Sequence, residues 1–249
     1  SVFDGYKPAI STRKFYQVIK SVGISVIGAN EKIMPADREL YRYRELTATV
    51  PSIPLIASSI MAKKIAMGTK TVVLDVKCGE GSLLKNEKQA ESLANLMIEI
   101  GNLAGIKTSA IISSLNQPLG MVIGPMLEVK EAIDLLSGDP KFEGTDLYNL
   151  CKEMVVHILI ETGKARSRIL AEDMFSDAIT SGLAKNKLRD MIVVHGGNTQ
   201  KFDNPDLLIP NVNSFYIASE KTGYLYDINL KELYRAINVI GATTDGTIN

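Results

Sequence analysis

The segment from residue 70 to residue 115 restricts the fold more than any other part of the sequence. It begins with a β-branched run, Thr71 to Val76, that ends in a glycine-containing turn, as a buried parallel strand does. A helical pattern with Asn86 as its N-cap comes next, and Ser109 to Ser113 form a second strand-like run. The apolar positions of the helical pattern are Ala90, Leu93, Leu96, Met97, Ile100 and Leu103. Strand, helix and strand in this order predict one βαβ unit with parallel strands.

Helical patterns dominate the rest of the sequence. They cover FYQVIKSVG before the unit, and EVKEAIDLLSG, TDLYNLCKEMVVHILIETG and SRILAEDMFSDAITSGLAKNKLRDMI after it. Helices around a mainly parallel sheet predict an α/β fold class. The stretch NSFYIASEKTGYLYDIN differs, because aromatic and β-branched residues alternate around a Lys-Thr-Gly turn. This alternation predicts strands that begin a small α+β C-terminal domain.

These patterns predict four segments. Residues 1–35 and 67–207 form a central α/β domain, and residues 36–66 form a helical-lobe segment. Residues 208–249 form the beginning of the C-terminal α+β domain, after the Gly-, Asn- and Pro-containing linker HGGNTQKFDNPDLLIPN. The sequence begins without Met and stops soon after a helical pattern, so we expect a fragment of a longer protein.

Charge and cysteine content exclude several functional classes. Lys plus Arg and Asp plus Glu both number 28, and no long basic run is present, so neither nucleic acid nor a membrane is an expected partner. Cys78 and Cys151 belong to no C-x-x-C pair, which argues against a disulfide framework or a zinc site. With no secretory signal pattern and no apolar run of about 20 residues, we expect a cytoplasmic protein.

The stretch RELTATVPSIPLIASSIMAKK, residues 44 to 64, places cations around an otherwise apolar helix. Its two prolines mark a helix start, with Ser52 as the N-cap and Pro54 in the first turn. Ser59 and Lys63 are one turn apart and therefore share a face of this helix. Spacing alone favours a solvated stripe, in which the lysine suits the C-terminal end of the helix dipole.

A second helical pattern, ADRELYRYRELTATV, carries Arg44 near its end, followed by a short extended piece. If the proline turn folds the two helices together, Arg44, Ser59 and Lys63 can converge on one cleft. Arg and Lys only donate hydrogen bonds, whereas a Ser hydroxyl also accepts, so the trio suits a planar ligand with two carbonyls and one N–H. That description fits a pyrimidine base.

Three blocks of the sequence resemble the pyrimidine nucleoside phosphorylases, the family of thymidine phosphorylase. They are ADRELYRYRELTATVPSIPLIASSIMAKKIA, VVLDVKCGEGSLLKN and NQPLGMVIGPMLEVKEAIDLLSG, and the resemblance runs from about residue 1 to 240. It implies reversible phosphorolysis of a pyrimidine (deoxy)nucleoside in nucleoside salvage, giving free base and a pentose 1-phosphate. It also implies inorganic phosphate as co-substrate, no cofactor and, for the full-length family, a homodimer.

Matched by position, the base-binding residues of the family are Arg44, Ser59 and Lys63, with Arg44 and Lys63 as the catalytic cations. The phosphate-binding loop of the family, of the form K-H-S-T-G-G, has no counterpart in this sequence. In the local candidate KCGEGS, Glu80 replaces a small polar residue and would repel phosphate, so we interpret Gly79 and Gly81 as turn glycines. We therefore expect this chain alone to be inactive.

The family can also bind a hinge cation through main-chain oxygens and one glutamate. By position these are Leu119, Val122 and Glu131, but the resemblance puts the other ligands outside this sequence, so no bound metal is expected. His157 lies on an apolar helix and is expected to be structural. His195 has no Ser, Cys or metal-ligand partner at a useful spacing, and we expect neither histidine to act as a base.

Two other functions stay open from the sequence. One is a phosphoribosyltransferase of the same fold class, such as an anthranilate enzyme, although such a site would not need the carbonyl-reading trio. The other is an inactive remnant that serves only as a binding module. The sequence does not determine a preference for thymidine or uridine.

Overall fold

The computed structural model describes residues 2–28, 35–209 and 215–239. The helices and strands of these residues are α1 (Thr12–Val22), α2 (Pro35–Leu46), α3 (Ile53–Ala66), β1 (Thr71–Cys78), α4 (Glu87–Leu103), β2 (Lys107–Ser114), α5 (Pro125–Leu136), α6 (Asp146–Glu161), α7 (Arg168–Thr180), α8 (Leu183–Val194), α9 (Gln200–Asp203) and α10 (Leu230–Val239). Short 3-10 helices occupy Pro140–Phe142 and Pro205–Leu208. None of the helices in these ranges combines the length and the apolar character that crossing a membrane requires.

The predicted βαβ unit is present. β1 and β2 pair in parallel, from Thr71 opposite Lys107 to Cys78 opposite Ser114, and α4 connects them. The Asn86 side chain caps α4 by accepting a hydrogen bond from the main-chain N–H of Gln89 at 3.0 Å. Both strands are longer than the apolar runs that predicted them, because backbone pairing continues through polar residues at the strand ends. The α/β fold class is confirmed.

The sheet separates two layers of helices. β1 buries alternate side chains against α4, in a cluster that α3 also joins, while its other face meets α6. The buried members of this core are Ala57, Met61, Val72, Leu74, Val76, Cys78, Leu84, Ala90, Leu93, Ala94, Met97 and Ile106. Because Ala57 and Met61 belong to α3, the helix that carries Ser59 and Lys63 is anchored directly on the βαβ unit.

Gly101 of α4 lies where α4 approaches β2 and α3 closely. A Cβ built at this position would lie 2.0 Å from Thr108 Oγ1 and 3.1 Å from the terminal methyl group of Met61. No side chain fits there without displacing its neighbours. Glycine at this position therefore sets how closely α3 packs on α4.

The helices after β2 form further clusters of buried residues. One of them joins the N-terminal segment to α5, α8 and α9 through Phe3, Ile133, Ile192 and Phe202. The long helical pattern SRILAEDMFSDAITSGLAKNKLRDMI is two helices rather than one. The pattern breaks at Gly182, whose left-handed φ of 72° interrupts the helix. Gly182 is also the N-cap residue of α8.

The strands predicted from the alternation after residue 214 are not formed. Residues 215–229 contain no strand, and the aromatic side chains of Phe215, Tyr216, Tyr224 and Tyr226 are almost fully exposed. An isolated hairpin is at best marginally stable without a surface to cover one of its faces, and nothing in the described residues covers this one. Residues 210–214 and 240–249 of the predicted C-terminal domain, and residues 29–34 of the predicted first segment, lie outside the described residues.

Candidate active site

A tight turn brings the predicted site residues onto one pair of helices, α2 and α3. The N–H of Thr49 bonds to the carbonyl of Arg44 at 2.9 Å, and the N–H of Ser52 bonds to the carbonyl of Thr49 at 3.1 Å. The piece predicted to be extended is thus a hydrogen-bonded turn. Ser52 occupies the N-cap position of α3 as predicted, but its side chain makes no capping bond. Ala48 has a φ of 55°, a left-handed conformation that disfavours a residue with a Cβ, so the turn is strained.

The two faces of α3 separate packing from polar chemistry. Ala57 and Met61 are fully buried and one turn apart, on the face that meets the core. Ser59 and Lys63 are offset from them by two residues each, or about 200° around the helix. The predicted shared face of Ser59 and Lys63 is therefore directed away from the core, towards α2.

The Lys63 ammonium donates to three protein acceptors. It bonds to Ser59 Oγ at 2.9 Å, to the main-chain oxygen of Ser59 at 3.1 Å and to Asp37 Oδ2 at 2.6 Å. An ammonium has three N–H groups, so these contacts use all of them. A ligand carbonyl can bind Lys63 only by replacing one of these acceptors.

Asp37 of α2 is a site residue that sequence reasoning missed. Its side chain is only 14% exposed, against 39% for that of Lys63. Burial alone would raise the pKa of Asp37, but hydrogen bonds from Lys63 and Ser59 and the charges of Lys63 and Arg44 lower it below its ordinary value. Asp37 is therefore ionised at neutral pH. The available signal was its position two helical turns before Arg44, which places the two residues on one face of α2.

Arg44 lies beside this group and is buried, with 7% of its surface exposed. Its guanidinium donates to the main-chain oxygens of Val50 at 2.5 Å and Leu55 at 3.4 Å, across the turn, and its carbon lies 5.3 Å from the centre of the Tyr41 ring. Its Nε is buried without a partner among the described residues. The structure thus joins Ser59 and Lys63 directly, whereas Arg44 is directed to backbone carbonyls.

This arrangement has a definite chemical capacity. Two cations and one hydroxyl lie on adjoining helices, and a single carboxylate, Asp37, balances part of the positive charge. Fixed cations in a partly dehydrated site stabilise negative charge that develops on a ligand oxygen more than they stabilise a neutral oxygen. The site therefore suits a reaction in which a carbonyl-bearing group departs with negative charge.

The glycine loop after β1 is a turn that its own residues hold. The N–H of Glu80 bonds to Asn116 Oδ1 at 3.0 Å, and Ser82 Oγ donates to the carbonyl of Lys77 at 2.7 Å. Gly79 has a φ of 125°, and a Cβ at Gly81 would lie 2.9 Å from the carbonyl oxygen of Leu115. Their backbone conformation and close packing support the interpretation of both as turn glycines.

Beside this loop, Asp75 orders Lys77 at 2.8 Å, and both side chains contact the Ser113 hydroxyl on β2. The three polar side chains therefore serve as one another's hydrogen-bonding partners. Both cysteines are free, and Cys78 is buried. Burial raises the pKa of Cys151; smaller effects are the charge of Lys77, which lowers it, and that of Asp75, which raises it.

The weak cation candidates lie around the start of α5. Glu131 is buried, and its Oε1 accepts the main-chain N–H of Met121 at 2.7 Å. Leu119 and Val122 belong to the same loop and would contribute only main-chain oxygens. Among the described residues, no group of three or more His, Cys, Asp or Glu side chains is arranged to hold a metal ion.

The expectation that His195 has no serine partner is wrong. His195 is 3% exposed, its Nε2 lies 2.9 Å from Ser25 Oγ, and its Nδ1 lies 3.1 Å from the carbonyl oxygen of Lys7. The carbonyl can only accept, so Nδ1 donates to it; in the neutral imidazole, Nε2 then accepts from the serine. Tyr6 stacks on the imidazole at 4.8 Å. Sequence spacing missed Ser25 because it is distant along the chain and only the fold brings the two together.

The α/β fold of this chain is that of a glycosyl transferase family. Residues 4–185 match the family described as "Glycosyl transferase family, a/b domain", and the chain belongs to this family. The matched residues include the α2–α3 pair and the whole βαβ unit.

The relatives of this chain carry a more specific name. The chain is 40% identical over 239 residues to a pyrimidine-nucleoside phosphorylase of Staphylococcus epidermidis (strain ATCC 12228). The aligned region covers 96% of this chain and 54% of that protein. The chain is 39% identical over 240 residues to the pyrimidine-nucleoside phosphorylase of Staphylococcus aureus (strain USA300), with the same coverage. The resemblance inferred from the three sequence blocks is confirmed. The chain spans about half the length of the curated relatives it matches.

Proposed function

We propose that this chain provides the pyrimidine-binding site of a nucleoside phosphorylase, which converts a pyrimidine (deoxy)nucleoside and inorganic phosphate into free base and a pentose 1-phosphate. The observation that carries the proposal is the joined pair of Ser59 and Lys63 on α3, beside Arg44. Relatives named pyrimidine-nucleoside phosphorylase support it. The resemblance adds that the full-length enzyme is a homodimer of nucleoside salvage that needs no cofactor, and the cytoplasmic location is the expectation from the sequence patterns.

In this reaction the glycosidic C–N bond breaks and its electron pair stays on the base. The sugar carbon gains positive character, and a phosphate oxygen forms the new C–O bond at that carbon. The negative charge on the departing base spreads to its carbonyl oxygens, where the ammonium of Lys63 and the guanidinium of Arg44 stabilise it. Because the stabilisation grows as the bond breaks, these cations lower the barrier rather than only binding the substrate.

Binding requires one exchange of partners at Lys63. Its contact with the main-chain oxygen of Ser59, at 3.1 Å, is the longest of its three. That oxygen lies in the middle of α3 and accepts a helical hydrogen bond from the backbone as well. A base carbonyl can therefore replace it at little cost, while Asp37 and the Ser59 hydroxyl keep the ammonium in place.

We expect the 249-residue chain to bind the base without turning over the nucleoside, since its sequence contains no K-H-S-T-G-G loop to hold phosphate. The test is to titrate the chain with uracil and thymine, and to follow thymidine and uridine in phosphate buffer by absorbance. Lys63→Ala should weaken base binding at least tenfold. Lys64→Ala, which removes the neighbouring lysine of the same helix turn, is the matched control and should leave binding unchanged.

Two results would contradict separate parts of the proposal. Equal affinity of the chain and its Lys63→Ala variant for uracil, or no binding by either, would show that α3 does not carry the base site. Turnover by this chain that disappears in Lys63→Ala would support the base site and show that residues of this chain also hold phosphate.

A further inference from the structure

Ser25 and His195 form a hydrogen-bonded pair that the proposed function does not use. Ser25 Oγ lies 2.9 Å from His195 Nε2, and His195 Nδ1 lies 3.1 Å from the carbonyl oxygen of Lys7. Ser21, four residues earlier, instead donates its hydroxyl hydrogen to the main-chain oxygen of Val18 at 3.2 Å. A serine hydroxyl beside an imidazole nitrogen has a base to take its proton, whereas a serine bonded to a carbonyl has none.

The pair and the carbonyl have the order of a nucleophile, a base and an orienting group. The carbonyl of Lys7 accepts the Nδ1 hydrogen, so the neutral ring presents the lone pair of Nε2 to the serine. Tyr6 stacks on the ring at 4.8 Å, and His195 is buried, so the imidazole is held in this direction. In serine hydrolases a third group likewise fixes the tautomer and the direction of the imidazole. A neutral carbonyl stabilises an imidazolium less than a carboxylate does, so we expect slow chemistry here.

Ser25 lies closer to the surface than its base. It is half-buried, and its neighbours Ile24 and Val26 are 38% and 59% exposed. Among the residues that the structure describes, the main-chain N–H groups of Ser25 and Val26 donate to no other main-chain oxygen. In serine hydrolases, the N–H of the nucleophile or of the residue after it donates to the oxygen of the tetrahedral intermediate. A group that reaches the Ser25 hydroxyl therefore has such donors close to it.

We propose that Ser25, His195 and the carbonyl of Lys7 form a second reactive centre, in which Ser25 is the nucleophile towards small uncharged carboxylic esters. The residues that flank the serine, Ile24 and Val26, are apolar, which favours an uncharged acyl group over a charged one. This centre gives His195 the role of a base, contrary to the expectation from its sequence spacing, because the fold supplies the partner. The proposal is independent of the proposed function, since it uses none of the residues of α2 and α3.

The reaction consumes one ester and one water. Ser25 Oγ attacks the carbonyl carbon while its proton passes to Nε2, and the former carbonyl oxygen becomes negative. When this intermediate collapses, the bond to the alcohol breaks and the alcohol leaves with the proton from Nε2. A water molecule then attacks the acyl group on the serine, gives its proton to Nε2 and leaves as part of the acid, while Ser25 regains its hydrogen. The Nδ1 hydrogen stays on the ring, bonded to the carbonyl of Lys7.

The experiment measures two rates on the 249-residue chain. Mass spectrometry of the digested chain gives the rates at which diisopropyl fluorophosphate, which forms a stable ester with reactive serines, modifies Ser25 and Ser21. Absorbance gives the steady-state hydrolysis of p-nitrophenyl acetate above the rate in buffer. We expect Ser25 to be modified at least about tenfold faster than Ser21, and Ser25→Ala to hydrolyse the ester at least about tenfold more slowly than the parent chain.

Two further variants test the base. His195→Gln should lower the modification rate of Ser25 at least about tenfold, because an amide does not take the proton. Ser21→Ala is the matched control, since it removes a nearby hydroxyl that has no histidine partner, and it should leave the rate at Ser25 unchanged. Circular dichroism checks that each variant is folded. The comparison of Ser25 with Ser21 is made within the parent chain and holds even if His195→Gln does not fold.

Three results would overturn the proposal. Modification of Ser25 no faster than that of Ser21 would show that the contact with His195 is only structural. An undiminished rate at Ser25 in folded His195→Gln would show that the serine reacts without this base. Ester hydrolysis that continues at the parent rate in Ser25→Ala would show that the nucleophile lies elsewhere in the chain.

Discussion

Arg44 contributes to the fold in addition to its proposed role in catalysis. Its guanidinium joins the carbonyls of Val50 and Leu55, one from the turn and one from α3, and is buried between them. The same turn contains Ala48 in a strained left-handed conformation. The bonds from Arg44 therefore help to hold a turn that would otherwise relax.

Arg44→Ala should lower the free energy of unfolding by about 1–3 kcal/mol, because it leaves the main-chain carbonyl of Val50 without its donor and removes a second, longer bond to Leu55. The free energy of unfolding of Arg44→Lys should lie between those of the parent chain and Arg44→Ala, since one ammonium cannot reproduce the paired donors of the guanidinium. Urea unfolding followed by circular dichroism measures both. Arg42→Ala, an exposed arginine of the same helix, should change stability by less than about 0.5 kcal/mol; an equal loss in both variants would contradict the structural role.

Asp37 gives stability a defined pH dependence. Its pKa is lower in the folded protein than the ordinary value of 3.8, so its contribution is complete above that value and is lost as the pH falls through the lower, folded pKa. At pH 7 Asp37→Asn should be less stable than the parent by about 1 kcal/mol, a figure kept small because Lys63 is partly exposed. The difference should vanish below the folded pKa. A constant difference across the acid range would contradict the assignment.

At this scale the sequence predicts pairs within one helix and misses pairs between helices. Ser59 and Lys63 could be placed on a common face because their spacing is one helical turn. The contact of Asp37 with Lys63 depends on how the α2–α3 turn folds, which spacing does not encode. The target of Arg44 was missed for the same reason, because backbone carbonyls leave no trace in a residue pattern.

Among the elements, the N-terminal segment and α8 are joined by the buried group at His195. His195 is the C-cap residue of α8, where its main-chain N–H bonds to the carbonyls of Met191 and Val193. Its imidazole bonds to Ser25 and to the carbonyl of Lys7, and stacks on Tyr6. These contacts link residues that lie 170 and 188 positions apart in the sequence. Residues 2–28 are therefore held by specific polar contacts as well as by apolar packing.

His195→Ala should lower the free energy of unfolding by about 2–3 kcal/mol, since it removes two hydrogen bonds and one ring contact from a buried site. Ser25→Ala removes only one of these bonds and should cost about 1 kcal/mol. Thermal and urea unfolding test the order of the two effects. His157→Ala, a half-buried histidine of α6, is the control; a loss as large as that of His195→Ala would argue against a special role for the group.

The packing of α4 predicts an unusual response to alanine at Gly101. Alanine is the better helix former by about 1 kcal/mol, but its Cβ would clash with Thr108 and crowd Met61. We expect Gly101→Ala to destabilise the protein by at least about 1 kcal/mol and to weaken base binding by shifting α3. Asn102→Ala, at the exposed neighbouring position, should be neutral in both measurements. Stabilisation by Gly101→Ala would show that α4 has room at this contact.

The elements whose local sequence signals all agree were predicted well. The βαβ unit combines β-branched runs with a capped helix, and all these signals agree. The alternation around Lys221 is equally clear, yet residues 215–229 form no strand. A strand needs a neighbour for its hydrogen bonds and a surface for its apolar face, and local sequence specifies neither.

For the whole molecule, exposure divides the described chain into a packed part and an open part. The residues from β1 to α9 contribute many large side chains to buried clusters, whereas Tyr216, Ile217 and Tyr224 are at least 97% exposed. Limited digestion with chymotrypsin should therefore cut first within residues 215–229. Phe142 and Phe202 are almost completely buried and should resist cleavage. Early cuts between α4 and α6 would contradict this division.

The contact between Arg44 and Tyr41 also has an optical consequence. The chain contains nine tyrosines and no tryptophan, so tyrosine emission is observed without transfer to an indole. Because the Arg44 guanidinium lies over the Tyr41 ring, any ligand that draws the cation away changes the surroundings of this fluorophore. The difference between the emission of the chain and that of its Tyr41→Phe variant isolates the signal. The site thus carries its own label for following occupancy in solution.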